Sequence, residues 1–298
     1  MAGWAGQKLK AKIPADTSVV AKLEMFQHAG TFKSRGALSN VLRLDDVVRK
    51  RGVTAMSAGN HAVAVAYAAN AAGIDAKLVM QNSANLSRVE MARAFGAEIL
   101  FAADGPSGFA MAEEIAANER RTFIHPFDGR STALGTATLG LEFFDQAGPV
   151  DVMVIAIGGG GLAGGVAAVT KQLNPTCHII GVEPEGASSM VRSFASGQAE
   201  NIGVPNTIAD SLAPPMTLSY PFEMCRSNID ELCVVSDDEL RSAMRLIFDD
   251  MKLAVEPACA ASTAAFLKLA EDYAGKRVGL VLCGSNIDYR SYCELVDV

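Results

Sequence analysis

Four consecutive glycines, Gly158–Gly161, separate an apolar run from an Ala-rich stretch in VIAIGGGGLAGG (Val154–Gly165). The apolar run reads as a buried strand and the Ala-rich stretch as a helix, so the glycines fall at a strand-to-helix turn. With no Cβ in the way, backbone amides in such a turn can wrap around a phosphate at the helix's positive end. The same layout recurs along the chain. Strands are predicted at Val19–Leu23, Val53–Met56, Lys77–Met80, Ile99–Phe101, Met153–Ile157, His178–Val182, Leu232–Val235 and Gly279–Cys283. Helices are predicted between them at His61–Ala72, Ser87–Phe95, Phe109–Asn118, Leu162–Leu173, Asp238–Met251 and Ala258–Tyr273. This alternation predicts an α/β protein on parallel sheets. Ser236, followed by Asp237, Asp238 and Glu239, marks one helix start, and Pro257 suits the first turn of another. Gly186–Pro221, rich in Pro, Gly and Ser, reads as a surface loop or a segment crossing between domains.

Composition closes off several function classes. The 298 residues are 50% hydrophobic and 20% charged, which favours a packed core over disorder. A net charge of −7 argues against a nucleic-acid surface, which needs clustered Lys and Arg. Six cysteines without a CxxC pair read as reduced thiols. No secretory signal or membrane-spanning run is visible, so a cytoplasmic protein without a membrane partner is expected.

Four segments carry groups suited to chemistry. HAGTFKSRGA (His28–Ala37) places Lys33 between Phe32 and a Ser-Arg-Gly turn. A lone lysine is ordinarily surface charge, but one held near apolar groups becomes a usable nucleophile or base. MSAGNHAVAVAYAA (Met56–Ala69) sets Ser57, Ala58, Asn60 and His61 at a strand end and helix start, a cradle for carboxylate or phosphate or simply a helix cap. The glycine segment also fits G-x-G-x-x-G through Gly159, Gly161 and Gly164. Glu183 follows about twenty residues later, so a dinucleotide enzyme is the rival reading. VLCGSNID (Val281–Asp288) is another strand that ends in small polar residues, with Cys283 at the turn.

Taken in order, these segments resemble the fold-type II pyridoxal-phosphate (PLP) enzymes, in the branch of the threonine and serine dehydratases. The resemblance runs from about Lys22 to the C-terminus. It rests also on FGAEI (Phe95–Ile99), HPFDG (His125–Gly129), GTATLGLE (Gly135–Glu142), NTIADSLA (Asn206–Ala213) and VEPACAA (Val255–Ala261). It displaces the dinucleotide reading. It implies a two-domain α/β fold like that of the tryptophan synthase β chain, with parallel or mixed sheets flanked by helices and the cofactor between the domains. The larger domain would take 1–33 and 131–298, with a short N-terminal part, and the smaller 34–130.

The resemblance also implies roles. Lys33 would hold PLP as a Schiff base and remove the Cα proton, with Phe32 on the ring and Asn60 on the cofactor's 3′ oxygen. Gly158, Gly159, Gly160, Gly161 and Leu162 would cradle the phosphate, and Cys283 would face the pyridine nitrogen. Ser57, Ala58, Asn60 and His61 would bind the carboxylate of an amino-acid substrate. A neutral thiol at the ring nitrogen makes a weaker electron sink than a carboxylate-held pyridinium and favours loss of a β-hydroxyl. The expected reaction converts L-threonine or L-serine to a 2-oxo acid and ammonia. Alternatives are another 3-hydroxy amino acid, racemisation, or an inactive PLP-binding homologue. A homodimer is expected from the resemblance alone.

Departures from the family pattern sharpen these expectations. Where racemases resemble SSGNH, this chain has Ala58, which has no proton to give. Glu183 and Ala187 fit the cation-binding spacing E-x3-A-x-D, but Ser189 replaces the aspartate, leaving a weakened site for a divalent cation. Ser211 and Cys259 each replace a usual glycine. The segment before Lys33 lacks the usual Thr-Pro-Leu motif, so part of the larger domain's first layer is expected to be absent or supplied by a partner. No appended regulatory domain, and hence no end-product feedback, is expected.

Overall fold

The computed structural model describes Ala2–Asp297. Its strands are β1 (Ala2–Trp4), β2 (Ser18–Leu23), β3 (Val53–Met56), β4 (Ala76–Gln81), β5 (Glu98–Ala102), β6 (Thr122–Phe123), β7 (Val152–Ala156), β8 (His178–Pro184), β9 (Glu231–Val235) and β10 (Arg277–Leu282). Its helices are α1 (Gln7–Lys10), α2 (Lys33–Val41), α3 (Asp46–Arg49), α4 (Asn60–Ala71), α5 (Leu86–Ala94), α6 (Gly105–Glu119) and α7 (Arg130–Ala147). They continue with α8 (Gly161–Leu173), α9 (Ser189–Ser196), α10 (Ser219–Asn228), α11 (Asp237–Met251), α12 (Pro257–Lys268) and α13 (Tyr289–Val296). No helix among the described residues is long and apolar enough to cross a membrane.

The chain divides into two compact units, Met1–Phe26 with Ala137–Val298, and Gln27–Thr136. The smaller unit is built on a four-stranded parallel sheet in the order β5-β4-β3-β6. Every residue of β3 is buried, as a parallel strand covered on both faces requires. The chain steps from β3 through α4 to β4 and through α5 to β5, then returns through α6 to β6 on the other side of β3. Between β3 and β6 the winding reverses. In an open α/β sheet a ligand crevice forms outside the carboxyl ends at such a point.

The larger unit repeats this device. Its six strands run β1-β2-β10-β7-β8-β9, all parallel except β1, which pairs antiparallel with β2. From β7 the chain winds through β8 to β9, while β10 enters on the opposite side of β7. The reversal therefore lies between β7 and β10, whose carboxyl ends carry Gly158–Gly161 and Cys283. Helix α12, buried from Pro257 to Phe266, covers this sheet, as its Ala-rich, nearly uncharged sequence demands.

Each predicted strand has a counterpart within about two residues, the ordinary uncertainty of element ends. Other expectations are corrected. Gly186–Pro221 is no mere loop, because it holds α9, whose Met190 and Ser193 are buried. The helix predicted to Tyr273 stops at Lys268 and gives way to turns closed by Gly275 in the left-handed region. The compact smaller unit also extends beyond 34–130 at both edges. His28 stacks on Tyr67 of α4 at 4.8 Å, and Gly36 packs on Thr132, so Lys33 lies within this unit.

Helix α7 was not predicted from its Thr- and Gly-rich sequence, and the glycines explain its placement. A Cβ on Gly135 would run into the carbonyl oxygen of Arg35 and come within 2.6 Å of the Gly36 Cα. Backbone contact between α7 and α2 thus fixes the helix that begins at Lys33. Gly135→Ala is expected to lower unfolding stability by about 2–3 kcal/mol, an overpacking cost. Gly3→Ala, which meets nothing within 4 Å, should stay within about 0.5 kcal/mol of the parent. Urea denaturation of the two variants checks the contrast.

Candidate active site

In the smaller unit, three chain segments meet at the reversal between β3 and β6. Lys33 opens α2, half-buried, and its Nζ donates a 2.6 Å hydrogen bond to the Pro126 carbonyl, three residues past β6. The same ammonium sits 5.2 Å from the centre of the Phe32 ring. Beyond β3, the Ser57 amide continues the ladder to the Val79 carbonyl, and its hydroxyl accepts the Gly59 N–H at 3.0 Å. Ala58 is half-buried, and buried Asn60 and His61 begin α4. The cap of α4 is Gly59, which has no side chain to bond the first amides.

The electrostatics here favour neutral imidazoles. His61 Nε2 donates to the Ile124 carbonyl at 2.8 Å, which assigns the proton to that nitrogen. Burial, then the nearby Lys33 charge, holds the His61 pKa down at about 3. His125 lies on the other side of Pro126, and its Nδ1 accepts the amides of Asp128 at 3.0 Å and Phe127 at 3.4 Å. Its pKa falls to about 4, chiefly through burial, with Asp128 opposing and Lys33 assisting. Phe127 meets the His125 ring edge-on at 4.6 Å. His125 and the Pro126 carbonyl were not singled out as site residues. The only signal for them was the matching segment HPFDG, which shows no chemistry of its own until β6 places it beside Lys33.

In the larger unit, the glycine turn joins β7 to α8. Gly160, the cap residue of α8, has φ +97°, and a Cβ there would sit 2.8 Å from Met190 Cε and 3.2 Å from Pro221 Cβ. Conformation and space both require glycine. The outward carbonyls are held from behind. Thr217 donates its hydroxyl to the Gly159 oxygen at 3.0 Å, and the Cys225 thiol lies 3.5 Å from the Gly160 oxygen. No side chain caps α8. A left-handed glycine turn leading into a thirteen-residue helix with that uncapped start, its carbonyls turned away, fits a phosphate group.

Cys283 follows β10 and is buried beside Cys259 of α12. Contact with the Cys259 thiol, then burial, raises its pKa well above the usual thiol value, so it stays a neutral S–H. Leu162 is buried in the first turn of α8. Glu183 lies buried near the end of β8. Its Oε1 accepts the Met190 amide and its Oε2 the Val191 amide, both at 2.8 Å. Burial pushes its carboxyl up to about 7 against those donors. Ala187 is buried in a 3₁₀ turn, and Ser189 opens α9. Among the described residues no group of three or more His, Cys, Asp or Glu side chains is placed to hold a metal.

The two neutral histidines give a pH signature. An unfolded histidine binds its proton near 6.5, whereas His61 and His125 resist it until about 3 and 4. Below pH 6.5 these two groups bind more protons in the unfolded chain than in the folded one, and stability falls with pH through them; Glu183, held up near 7, opposes the trend and offsets about one of the two protons. Each imidazole costs about 1.4 kcal/mol per pH unit in that window. Thermal melts from pH 7 to 4.5 should show the decline, with a shallower slope for His61→Gln.

Comparison with known proteins agrees with this geometry. The family described as "Pyridoxal-phosphate dependent enzyme" matches residues 7–284. Phenylserine dehydratase of Ralstonia pickettii is 53% identical over 279 residues, 93% of this chain and 86% of that protein. L-threo-3-hydroxyaspartate ammonia-lyase of Saccharomyces cerevisiae is 36% identical over 280 residues, 92% of this chain and 85% of that protein. Among solved structures, maize serine racemase superposes with a TM-score of 0.92 at 31% identity, covering 98% of this chain and 90% of its own. The chain belongs to the pyridoxal-phosphate-dependent enzymes of fold type II, with dehydratase-type ammonia-lyases among its relatives.

Proposed function

We propose that this chain removes water from a 3-hydroxy amino acid by β-elimination, releasing a 2-oxo acid and ammonia, and that its preferred substrate carries an aryl group on C3. One observation carries the reaction type. The Lys33 amine is flanked by two imidazoles that burial keeps neutral, and Ala58 offers no acid to return a proton from another direction. The aryl preference is supported by the 53% identity to phenylserine dehydratase. L-Threonine and L-serine are the next candidates.

PLP, when bound, supplies the electron sink that makes the substrate's Cα proton removable. The chain's own groups do the rest. Lys33 would hold the cofactor, with Phe32 against its ring and Asn60 at its 3′ oxygen. Gly158, Gly159, Gly160, Gly161 and Leu162 would take its phosphate. Ser57, Ala58, Asn60 and His61 would fix the substrate carboxylate at the start of α4. Lys33 Nζ accepts the Cα proton and can pass it to the departing hydroxyl, so water leaves rather than hydroxide. Cys283 would present a neutral thiol to the ring nitrogen. It therefore cannot act as the carboxylate that would stabilise a long-lived carbanion, and prompt loss of the hydroxyl is favoured over reprotonation.

The test is a substrate panel on PLP-loaded enzyme, followed by keto-acid and ammonia assays and chiral analysis of residual substrate. 3-Phenylserine is expected to show the highest kcat/KM, and Lys33→Ala to lose about a thousandfold in kcat together with the cofactor's visible absorbance band. Accumulation of the D-enantiomer without 2-oxo acid would sink the elimination reading. Faster turnover of L-serine than of 3-phenylserine would sink the aryl preference alone.

A further inference from the structure

The spacing of Glu183, Ala187 and Ser189 matches a cation site of related enzymes with one carboxylate missing, yet the structure gives the remaining carboxylate other work. Both Glu183 oxygens accept amides from the first turn of α9, Met190 and Val191, each at 2.8 Å. A carboxylate facing the positive end of a helix already has partial positive charge opposite it. A hard divalent cation needs six to eight oxygens, preferably from several carboxylates. Here one carboxylate is present, it is 1% exposed, and the buried Ser189, standing in the aspartate's place, offers a neutral hydroxyl instead of a charge. The residues do not fit a divalent cation.

The cap has a second consequence. Met190, whose amide Glu183 holds, is fully buried, and its Cε lies 2.8 Å from where a Cβ on Gly160 would sit. Cys225, whose thiol pKa is raised by burial and then by the Glu183 charge, lies with its sulfur 3.5 Å from the Gly160 carbonyl oxygen. Glu183 thus stands behind the glycine turn, linked to it through Met190.

We propose that in this chain Glu183 is a positioning residue that takes over from a bound cation: it anchors the start of α9 so that Met190 backs the glycine turn, and the enzyme retains its cofactor without divalent metal. The proposal rests on the reading of Gly158–Gly161 as the phosphate cradle.

Two arms test it. In the first, chelator-treated enzyme receives Mg²⁺, Mn²⁺ or Ca²⁺, and the melting temperature and PLP dissociation constant are measured. Changes below about 1 °C and unchanged PLP affinity are expected, because a ligand that does not bind the folded state cannot stabilise it. Stabilisation by any of these cations overturns the proposal. That reading needs no cofactor, so it decides the matter even if PLP fails to bind, a result that would instead overturn the functional reading above.

In the second arm, Glu183→Gln and Met190→Ala are titrated with PLP, and the phosphorus resonance of the bound phosphate is recorded. Both are expected to bind PLP roughly tenfold more weakly, with a shifted resonance and near-parental kcat at saturating PLP. A lower melting temperature in either variant with parental PLP affinity and resonance would make Glu183 merely structural and overturn its positioning role. Met190→Ala keeps this arm decisive if Glu183→Gln does not fold.

Discussion

A helix that begins on glycine has no side chain with which to cap its own first amides, and two helices of this chain begin that way at the places where ligand chemistry is needed. Five other helices are capped by a side chain, with Asp45, Asn85, Asp104, Ser236 and Asp288 accepting amides at the starts of α3, α5, α6, α11 and α13, while α1, α2, α9, α10 and α12 have no such cap. Helices α4 and α8 start after Gly59 and Gly160 with no such bond. A missing cap costs about 1 kcal/mol, and that cost is sustained where the strand order reverses. The surroundings supply the rigidity the turn gives up. Behind Gly160 stand Met190, Pro221 and Cys225, and Thr217 holds the Gly159 carbonyl. The site's capacity for anions and its need for a stiff second layer are therefore one constraint.

Much of this was legible in the sequence, because buried parallel strands are written as short apolar runs and their turns as glycine and small polar residues. β3 was predicted to the residue, and the eight predicted strands all have counterparts. The two short strands β1 and β6 were not seen, since two or three residues carry no period. The loss of β6 mattered, because it is the strand that delivers His125 and Pro126 to Lys33. Helix α7 was hidden for a different reason. Its Thr and Gly residues read as breakers when counted by propensity, whereas Gly135 is there to let two backbones touch.

Glu183 shows where a pattern and a geometry part company. Its spacing to Ala187 was read as half of a cation site, and nothing in one dimension could show which way the carboxylate points. The segment that decides the question, α9, fell inside Gly186–Pro221, which had been read as loose. Once Ser189–Ser196 is a helix, its amides are the donors nearest the carboxylate, and they occupy both oxygens.

The proposed elimination depends on which groups can hold and release a proton. Returning a proton to Cα from the opposite face requires a second group that can both hold and release one. His61 keeps its Nε2 proton on the Ile124 carbonyl, and His125 offers its Nδ1 lone pair to two backbone amides. Burial disfavours the charged form of either ring and the Lys33 charge adds to it, which is why both values fall so far below 6.5. Ala58 contributes only a methyl group. Lys33 is left as the group near the Ser57–His61 turn best suited to move a proton, and a leaving hydroxyl provides that proton with a destination other than the carbon it came from.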